Sequence, residues 1–369
     1  MIPLFQHFPG LEDKLPHVSL CQLPTPVKRL EILGQTLNLD HLYIKQDGLT
    51  AAPFGGNKIR KLEFLLGNAL RRGAEEIFTF GYAGSNHALA TAIYAKQLGL
   101  KSVSMLIPQP NARYVRRNLL AGQYSGVEFH QYPNKRLLAW GARYQKWLHK
   151  RKTGKAPYII PPGGSSPLGT TGFVNAAFEL AQQINNNEIP EPDTIFITLG
   201  SAGTFVGLLI GIKILGLKSK LIPVRVIERQ FLKRQMVVDL FSQTVDLLRS
   251  SDLSFPRLSS AAVARELEIR EHYLGDGYAQ FTPKGMEAIA LFKQTENIQL
   301  DGTYTGKTAA ALIDDARAGH LKGKKVLFWN TLNAHDLSHF TREVDYHQLP
   351  RSFHRYFDHP VQPLDAALK

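Results

Sequence analysis

Cysteine is almost absent from this chain of 369 residues, which contains only Cys21. A single cysteine cannot form an intramolecular disulfide, and no Cys/His cluster has the spacing of a zinc site, so we expect no metal. The scarcity of cysteine fits a reducing compartment. The N-terminal residues lack the basic and apolar segments of a secretory signal, and no uncharged apolar run reaches the roughly 18–20 residues of a membrane span. We therefore predict a cytoplasmic protein without a membrane partner.

Acidic residues are fewer than basic ones: the chain has 31 Asp and Glu against 44 Lys and Arg, which gives a net charge of +13. The basic excess is spread along the chain, with one concentration at Lys135–Lys155. Apolar residues fall at helical spacing within it: Leu137, Trp140, Tyr144, Trp147 and Leu148. One interpretation is a surface helix with its apolar face on the core, and the other is a patch that binds phosphate backbones. Because no nucleic-acid-binding motif accompanies this segment, we favour the first and expect no nucleic-acid partner.

Apolar segments alternate with helix-period segments from about residue 59 onward. Ile59, Leu62, Leu66 and Leu70 predict a helix that ends at Gly73, and Asn86–Leu98 predicts another. The predicted buried strands are Ile77–Phe80, Val103–Ile107, Val127–His130, Tyr158–Ile160, Thr194–Leu199, Leu221–Ile227 and Lys325–Trp329. This alternation predicts an α/β protein with parallel sheets and helices on both faces. The length predicts two domains.

Two glycine-containing loops follow predicted strands and lead into predicted helices. They are Gly81–His87 (GYAGSNH) and Gly200–Thr204 (GSAGT). A strand, a glycine-rich loop and a helix together let backbone N–H groups bind an anion at the helix N-terminus. Such small residues also serve in tight turns that bind nothing. Since neither a Walker lysine nor the full Rossmann spacing is present, a nucleoside triphosphate site is not predicted.

Lys58 stands at the turn GGNK, directly before the first predicted helix. A lysine at such a position is most often a solvated side chain. Here it accompanies a candidate anion loop, a Ser-Asn-His loop and a late Tyr-Thr-Gly-Lys segment. That combination favours a lysine with a chemical role.

Six segments in order resemble one enzyme family. They are GGNKIRKLEFLL, GSNHALATAIYAKQLGL, PPGGSSPLGTTGFVNAA, LGSAGTFVGLL, GDGYAQFTPKGMEAI and GTYTGKTAAALID, within residues 22–331. The chain is identified as similar to the D-cysteine desulfhydrase / 1-aminocyclopropane-1-carboxylate (ACC) deaminase family. The resemblance implies pyridoxal 5'-phosphate as cofactor, a two-domain tryptophan-synthase-β-like fold and a homodimer. It implies a large cofactor-binding domain of residues 1–57 and 172–369, and a small αβα domain of residues 58–171.

The resemblance also implies roles for individual residues. Lys58 would bond to the cofactor aldehyde and then move a proton at the substrate carbon. Ser85, Tyr278 and Tyr304 would act with it on the substrate. The other cofactor contacts would be Lys61 near the phosphate, Asn86 at the ring hydroxyl, Thr305 at the pyridine nitrogen, and the phosphate loop Gly200, Ser201, Ala202, Gly203 and Thr204.

The implied reaction depends on the residue after Tyr304. In the ring-opening deaminases of the family a glutamate follows this tyrosine, whereas here it is Thr305. A neutral threonine cannot keep the pyridine nitrogen protonated, so it favours a substrate whose leaving group departs readily. We therefore expect β-elimination from a small amino acid, namely D-cysteine to pyruvate, sulfide and ammonia. ACC deamination and a cofactor-binding protein with little catalysis are the alternatives.

Three segments differ from the family pattern on the substrate side. They are Gly81–Gly84, Ala88–Ala90 and Asn330–Asn333. These changes leave open which amino acid and which enantiomer is used. The tail after Asp336 is predicted to be either a packing element at a subunit interface or a surface arm. We interpret His87 as a partner of a helix N-terminus and Cys21 as a small apolar residue.

Overall fold

The computed structural model describes residues 1–367 and contains two β-sheets. The strands are β1 Val27–Arg29, β2 His41–Gln46, β3 Glu76–Tyr82, β4 Lys101–Ile107, β5 Glu128–Gln131, β6 Tyr158–Ile160, β7 Thr194–Leu199, β8 Lys220–Arg225 and β9 Lys325–Asn330. The larger sheet has the order β1-β2-β9-β7-β8, and the smaller has the order β5-β4-β3-β6. Only β1 pairs antiparallel, with β2, so the prediction of parallel sheets is confirmed.

Helices connect these strands and cover both faces of the larger sheet. They are α1 Pro3–His7, α2 Gly10–Lys14, α3 Glu31–Leu37, α4 Asn57–Arg71, α5 Asn86–Gln97, α6 Arg113–Tyr124, α7 Lys135–Thr153, α8 Pro167–Asn185, α9 Gly203–Leu215, α10 Arg234–Ser251, α11 Ser260–Glu266, α12 Pro283–Glu296, α13 Thr305–Arg317, α14 Arg355–Asp358 and α15 Pro363–Ala366. Short 3₁₀ helices lie at Asp47–Leu49, Pro162–Gly164, Ser338–Phe340, Tyr346–Gln348 and Arg351–Phe353.

The larger sheet separates two apolar layers. On one face, Phe173 and Phe241 from α8 and α10 pack in one cluster with Ile195 of β7. On the other face, Phe292 and Leu312 from α12 and α13 pack in a second cluster. A sheet that is buried on both faces favours apolar strands, which is why β7, β8 and β9 could be predicted from short apolar runs.

The predicted strands are all present within one or two residues, but β1 and β2 were not predicted. The predicted domain boundaries stay a prediction. The strands of the smaller sheet lie between residues 76 and 160, inside the predicted small domain. The positions 57/58 and 171/172 fall inside the continuous helices α4 and α8.

The prediction for α7 is wrong about its orientation. Its large apolar side chains do not face the core, since Leu137, Trp140, Tyr144 and Trp147 are 48–69% exposed. The smaller residues Leu138 and Ala142 pack against the sheet instead, and His149 is the buried residue of this helix. The His149 ring donates a hydrogen bond from Nδ1 to the Glu76 carboxylate at 2.9 Å.

The tail after Asp336 packs on its own chain. Phe353 and Tyr356 are buried in a cluster with Val115 of α6. Further along, the Gln362 amide donates to the Ala279 carbonyl at 3.0 Å and accepts from the backbone of Phe281 at 2.8 Å. The tail therefore links α6 to the loop that carries Tyr278.

Within residues 1–367, no helix combines the length and apolar character that crossing a bilayer requires. The same part of the chain contains no group of three or more His, Cys, Asp or Glu side chains arranged to hold a metal ion.

Candidate active site

A cavity lies where the carboxyl ends of strands from both sheets face each other. Segments after β3, β7 and β9 line it, together with the start of α4 and residues that precede α13. In sheets of parallel strands, this edge is where ligands bind. The predicted residues that line the cavity are Lys58, Ser85, Asn86, Gly200, Ser201, Ala202, Thr204, Tyr278 and Tyr304. Lys61, Gly203 and Thr305 lie outside this lining and are buried.

Lys58 reaches the cavity from the first turn of α4. Gly56 precedes the helix with φ +103°, and a Cβ at this position would lie 2.9 Å from the Thr331 carbonyl oxygen, so this turn requires glycine. Burial lowers the pKa of Lys58 to about 8, although the Asp301 carboxylate acts to raise it. A lysine with such a pKa is partly unprotonated near neutral pH and can act as a nucleophile.

The loop between β7 and α9 has the local geometry of a candidate anion-binding loop, which we call the anion cradle. Its residue Ala202 has φ +69°, a conformation that is uncommon for residues other than glycine. The loop precedes α9, a helix of 13 residues whose N-terminus carries partial positive charge. The Asn57 amide donates to the Thr204 hydroxyl at 3.0 Å and so joins this loop to the start of α4.

Lys61 lies directly behind this cradle. Its ammonium donates to the Gly163 carbonyl and to the Ser165 hydroxyl, both at 3.2 Å. Ser165 in turn donates to the Ser201 hydroxyl at 2.8 Å and accepts from the Gly203 backbone N–H at 3.1 Å. Burial and the charge of Lys58 hold the pKa of Lys61 well below its ordinary value. The position beside an anion cradle is consistent with the predicted role of Lys61 near a phosphate.

The loop before α5 contributes three neighbouring side chains. The Ser85 hydroxyl accepts from the Ala88 backbone N–H at 3.1 Å and caps α5. The Asn86 carbonyl oxygen accepts from Asn118 at 2.7 Å. His87 also lines the cavity, and burial followed by the charges of Lys58 and Lys61 holds its pKa well below the ordinary value. His87 therefore stays neutral, beside both lysines.

Tyrosines form the opposite wall. The hydroxyls of Tyr278 and Tyr304 are hydrogen-bonded to each other. The ring of Tyr82 stacks on that of Tyr278, with centroids 4.1 Å apart and an angle of 24° between the planes. Burial raises the pKa of all three, to about 12 for Tyr82. These phenols are therefore protonated at neutral pH and can donate hydrogen bonds into the cavity.

Asp301 is a cavity residue that the sequence analysis missed. Its carboxylate accepts hydrogen bonds from the backbone N–H groups of Thr303, Tyr304 and Thr305, and from the Thr305 hydroxyl at 2.8 Å. Thr305 itself is fully buried as the first residue of α13. Its contact with a pyridine nitrogen stays a prediction. In the structure, the Thr305 hydroxyl donates its hydrogen to Asp301.

The residues present fit pyridoxal phosphate. The cofactor needs a reactive amine for its aldehyde and a cradle for its phosphate, and Lys58 and the loop Gly200–Thr204 line the same cavity. Thr170 supplies a further polar group, since its buried hydroxyl has no hydrogen-bond partner within the described residues. A Cβ at Gly203 would lie 3.1 Å from this hydroxyl and 2.9 Å from the Lys61 ammonium, so only glycine leaves the cradle open.

Comparison with known proteins identifies the family and its cofactor. The profile of the family described as "Pyridoxal-phosphate dependent enzyme" matches residues 18–331. Proteins of Pyrococcus furiosus and Pyrococcus horikoshii, both named "Putative 1-aminocyclopropane-1-carboxylate deaminase", are 35% and 34% identical over 325 residues. In both cases the match covers 87% of this chain and 93% of the relative.

Solved structures give the same result. The crystal structure of an "ACC deaminase homologue" has a TM-score of 0.76 and 32% identity, covering 92% of this chain and 96% of that one. Threonine deaminase isoform 2 from Solanum lycopersicum has a TM-score of 0.57 at 16% identity, covering 92% of this chain and 86% of that one, and shares the fold alone. The chain is therefore a pyridoxal-phosphate-dependent enzyme of the tryptophan-synthase-β-like fold and belongs to the D-cysteine desulfhydrase / ACC deaminase family.

Proposed function

We propose that the enzyme is a lyase that catalyses β-elimination from a small amino acid, most simply D-cysteine to pyruvate, sulfide and ammonia. The observation that carries this proposal is the pairing of Thr305 with Asp301. Thr305 is neutral, and the Asp301 carboxylate already accepts four hydrogen bonds. Neither residue supplies the free carboxylate that would hold a proton on a pyridine nitrogen. The cofactor would then be a weak electron sink, which favours a substrate with a good leaving group.

The cofactor would be held by residues that already face one another. The backbone N–H groups of Gly200–Thr204 and the Thr204 hydroxyl would bind its phosphate, with the Lys61 charge behind them. Asn86 would donate to its ring hydroxyl, and Lys58 would bond to its aldehyde carbon. When bound, pyridoxal phosphate supplies the sink for the electron pair that remains when the substrate loses its α-proton.

The side chains of this chain would perform the proton transfers. The Lys58 amine, with its pKa of about 8, would take the proton from the substrate α-carbon. Ser85 at the N-terminus of α5 would donate to the substrate carboxylate, whose charge the helix dipole favours.

The hydrogen-bonded phenols of Tyr278 and Tyr304 would protonate the leaving sulfur as the bond between carbon β and sulfur breaks. The product released after elimination is an enamine, and one water converts it to pyruvate and ammonia. The proton that Lys58 takes from carbon α would then replace the one that the tyrosine pair gives to sulfur, so that both groups return to their starting state.

ACC deamination is the second candidate. Its support is that both Pyrococcus relatives and the solved homologue carry that name. The third is a cofactor-binding protein with little catalysis, which the altered segments Gly81–Gly84 and Asn330–Asn333 suggest. In the structure, Tyr82 and Leu332 from these segments both line the cavity and so narrow the space for a substrate.

Turnover assays on D-cysteine, L-cysteine, β-chloro-D-alanine and ACC, run side by side, separate the candidates. We expect pyruvate from D-cysteine and β-chloro-D-alanine, and little ketobutyrate from ACC. The Lys58→Ala variant is the control, and it should keep the fold and lose every activity. Dominant ketobutyrate would establish the deaminase instead, and no product from any substrate would favour the binding protein.

We also propose that the enzyme is a cytoplasmic homodimer with the domain division 1–57 and 172–369 against 58–171. The family resemblance supports the dimer, and the distribution of the two sheets supports the division. Light scattering of the purified holoenzyme measures the mass directly, and a monomer would contradict the proposal.

A further inference from the structure

Helix α7 exposes a face that combines aromatic and basic side chains. Leu137, Trp140, Tyr144 and Trp147 are 48%, 69%, 57% and 52% exposed. They recur every three or four residues and therefore form one stripe along the helix. Arg136, Arg143 and Lys150, also exposed, follow one another at intervals of seven residues in a parallel stripe. We call these seven residues the basic–aromatic face.

Basic side chains of α7 contact the aromatic stripe. The guanidinium of Arg143 lies 5.3 Å from the ring centre of Trp140, and that of Arg151 lies 5.0 Å from the ring centre of Trp147. Such cation–π contacts hold the indole rings on the outer surface of the helix. The opposite side of α7 is fixed to the smaller sheet through His149 and Glu76. The exposed orientation is therefore set by the buried side of the helix and is not a consequence of loose packing.

The charge of α7 has one sign only. Its 19 residues include seven Lys and Arg side chains and no Asp or Glu. A partner that covers this face must therefore be acidic. It must also accept two indoles and a phenol, which are side chains with an apolar body and a polar edge.

We propose that α7 lies flat on membranes that contain anionic lipid, with the basic–aromatic face in the headgroup region. A surface helix with Lys and Arg on one stripe and Trp, Tyr and Leu on the next has the composition of interfacial membrane helices. The proposal replaces the expectation, made from the sequence, that the protein has no membrane partner.

Two other occupants fit the face less well. A second copy that docked through a two-fold axis on α7 would bring the same basic stripe against itself, and like charges oppose such contact. A nucleic acid would bind the basic stripe through its phosphates, but these provide no apolar surface for Leu137. Both occupants are outcomes that the test can detect.

Tryptophan fluorescence reports on this face directly. The chain contains three tryptophans, and Trp329 is fully buried, so Trp140 and Trp147 alone can change their solvent contact. The holoenzyme is mixed with vesicles of phosphatidylcholine alone or of phosphatidylcholine with phosphatidylglycerol. We expect a blue shift, reduced quenching by acrylamide and co-flotation only with the phosphatidylglycerol vesicles, and loss of binding at high salt.

Variants distinguish binding through the basic–aromatic face from nonspecific hydrophobic adsorption to vesicles. Trp140→Ser with Trp147→Ser should weaken vesicle binding about tenfold or more and leave turnover unchanged, since neither residue lines the active-site cavity. The matched control replaces two exposed apolar residues outside α7, Met236→Ser with Leu253→Ser, and should bind like the wild type.

Four results would overturn the proposal. One is no binding to phosphatidylglycerol vesicles, and another is equal loss of binding in the control variant. The third is tighter binding of a labelled single-stranded oligonucleotide that the same α7 variant abolishes, which would identify a nucleic-acid surface. The fourth is a change from dimer to monomer in the α7 variant, which would identify a contact between copies.

Discussion

The reactivity of Lys58 is the property of this site that can be tested most directly. Burial at the start of α4 holds its pKa at about 8, whereas an ordinary lysine has a pKa of 10.5. At about pH 7.5, roughly one quarter of the Lys58 amines are then neutral, against about one in a thousand for an ordinary lysine. The structure thus provides about 200-fold more of the nucleophilic form at this pH.

The consequence is a defined pH dependence for attachment of the cofactor to the apoenzyme. Because only the neutral amine attacks an aldehyde, the rate of attachment should rise with pH and level off above about 8. The rate is measured from the absorbance of added pyridoxal phosphate after rapid mixing, from pH 6 to pH 10. A rate that keeps rising up to about pH 10 would refute the argument, since it would show a lysine with its ordinary pKa.

Asp301 gives the same argument a second test. Its carboxylate raises the pKa of Lys58, so the Asp301→Asn variant should move the midpoint of the rate profile below pH 8. The control is Asp336→Asn, the same change at a carboxylate that is exposed, which should leave the midpoint in place. A midpoint that moves upward in Asp301→Asn would contradict the electrostatic assignment.

Two further predictions concern Glu179 and Gly203, which lie outside the lining of the cavity. Burial raises the pKa of Glu179, but the charges of Arg60 and Lys45 outweigh burial and hold this pKa at about 2 instead of 4.5. The Glu179→Gln variant should therefore lower the free energy of unfolding by about 3 kcal/mol near neutral pH. Since this stabilisation is present above pH 4.5 and lost as pH falls towards 2, urea titrations should show the variant and the wild type converging in acid. The Gly203→Ala variant should lose cofactor on dialysis about tenfold more readily, because the added Cβ would lie 2.7 Å from the Ser165 hydroxyl. Such overpacking costs about 1–3 kcal/mol. Gly200→Ala, whose Cβ would meet nothing within 3.8 Å, is the control, and equal losses in both variants would contradict the steric reason.

The strands that the sequence predicts are mostly apolar runs, although Val127–His130 contains Glu128 and Leu221–Ile227 contains Arg225. β2 was missed because Lys45 lies within it, and a buried lysine cannot be distinguished from a solvated one by its neighbours along the chain. Here its charge is compensated by Glu179, whose carboxylate lies 2.5 Å from the Lys45 ammonium although 134 positions separate them. β1 was missed for another reason, since two of its three residues, Lys28 and Arg29, are charged and exposed, whereas the equally short β6 is Tyr-Ile-Ile.

The orientation of α7 shows a limit of periodicity. Helical spacing predicts which residues share a stripe, but it does not say which stripe faces the sheet. The large size of the aromatic side chains suggested that their stripe faces the sheet, whereas the side that does so carries Leu138, Ala142 and His149. The deciding contact is the pair of His149 and Glu76, which come from distant parts of the sequence.

Among the site residues, those in glycine-rich turns could be predicted and those joined across the fold could not. Lys58 and Gly200–Thr204 stand in local patterns that specify a turn before a helix. Asn57 and Ser165 act through partners on other segments, at Thr204 and Ser201, so no local pattern indicated them. Asp301 did leave a signal, because Asp followed by Gly302 is typical of a turn in which the carboxylate accepts from the backbone two residues on, here from Thr303.

The choice of reaction was argued from Thr305 alone, but in the fold this residue acts together with Asp301. Thr305 is fully buried, and the oxygen atoms of both side chains are engaged with each other at 2.8 Å. A glutamate at position 305 would bring a second buried carboxylate against Asp301, where like charges strongly disfavour ionisation of both. The neutral residue at 305 therefore keeps a second carboxylate away from Asp301 and donates a hydrogen bond to it instead. In the proposed reaction, the weak electron sink would follow from Thr305 and the pKa of Lys58 would depend on Asp301, so one hydrogen-bonded pair would influence both.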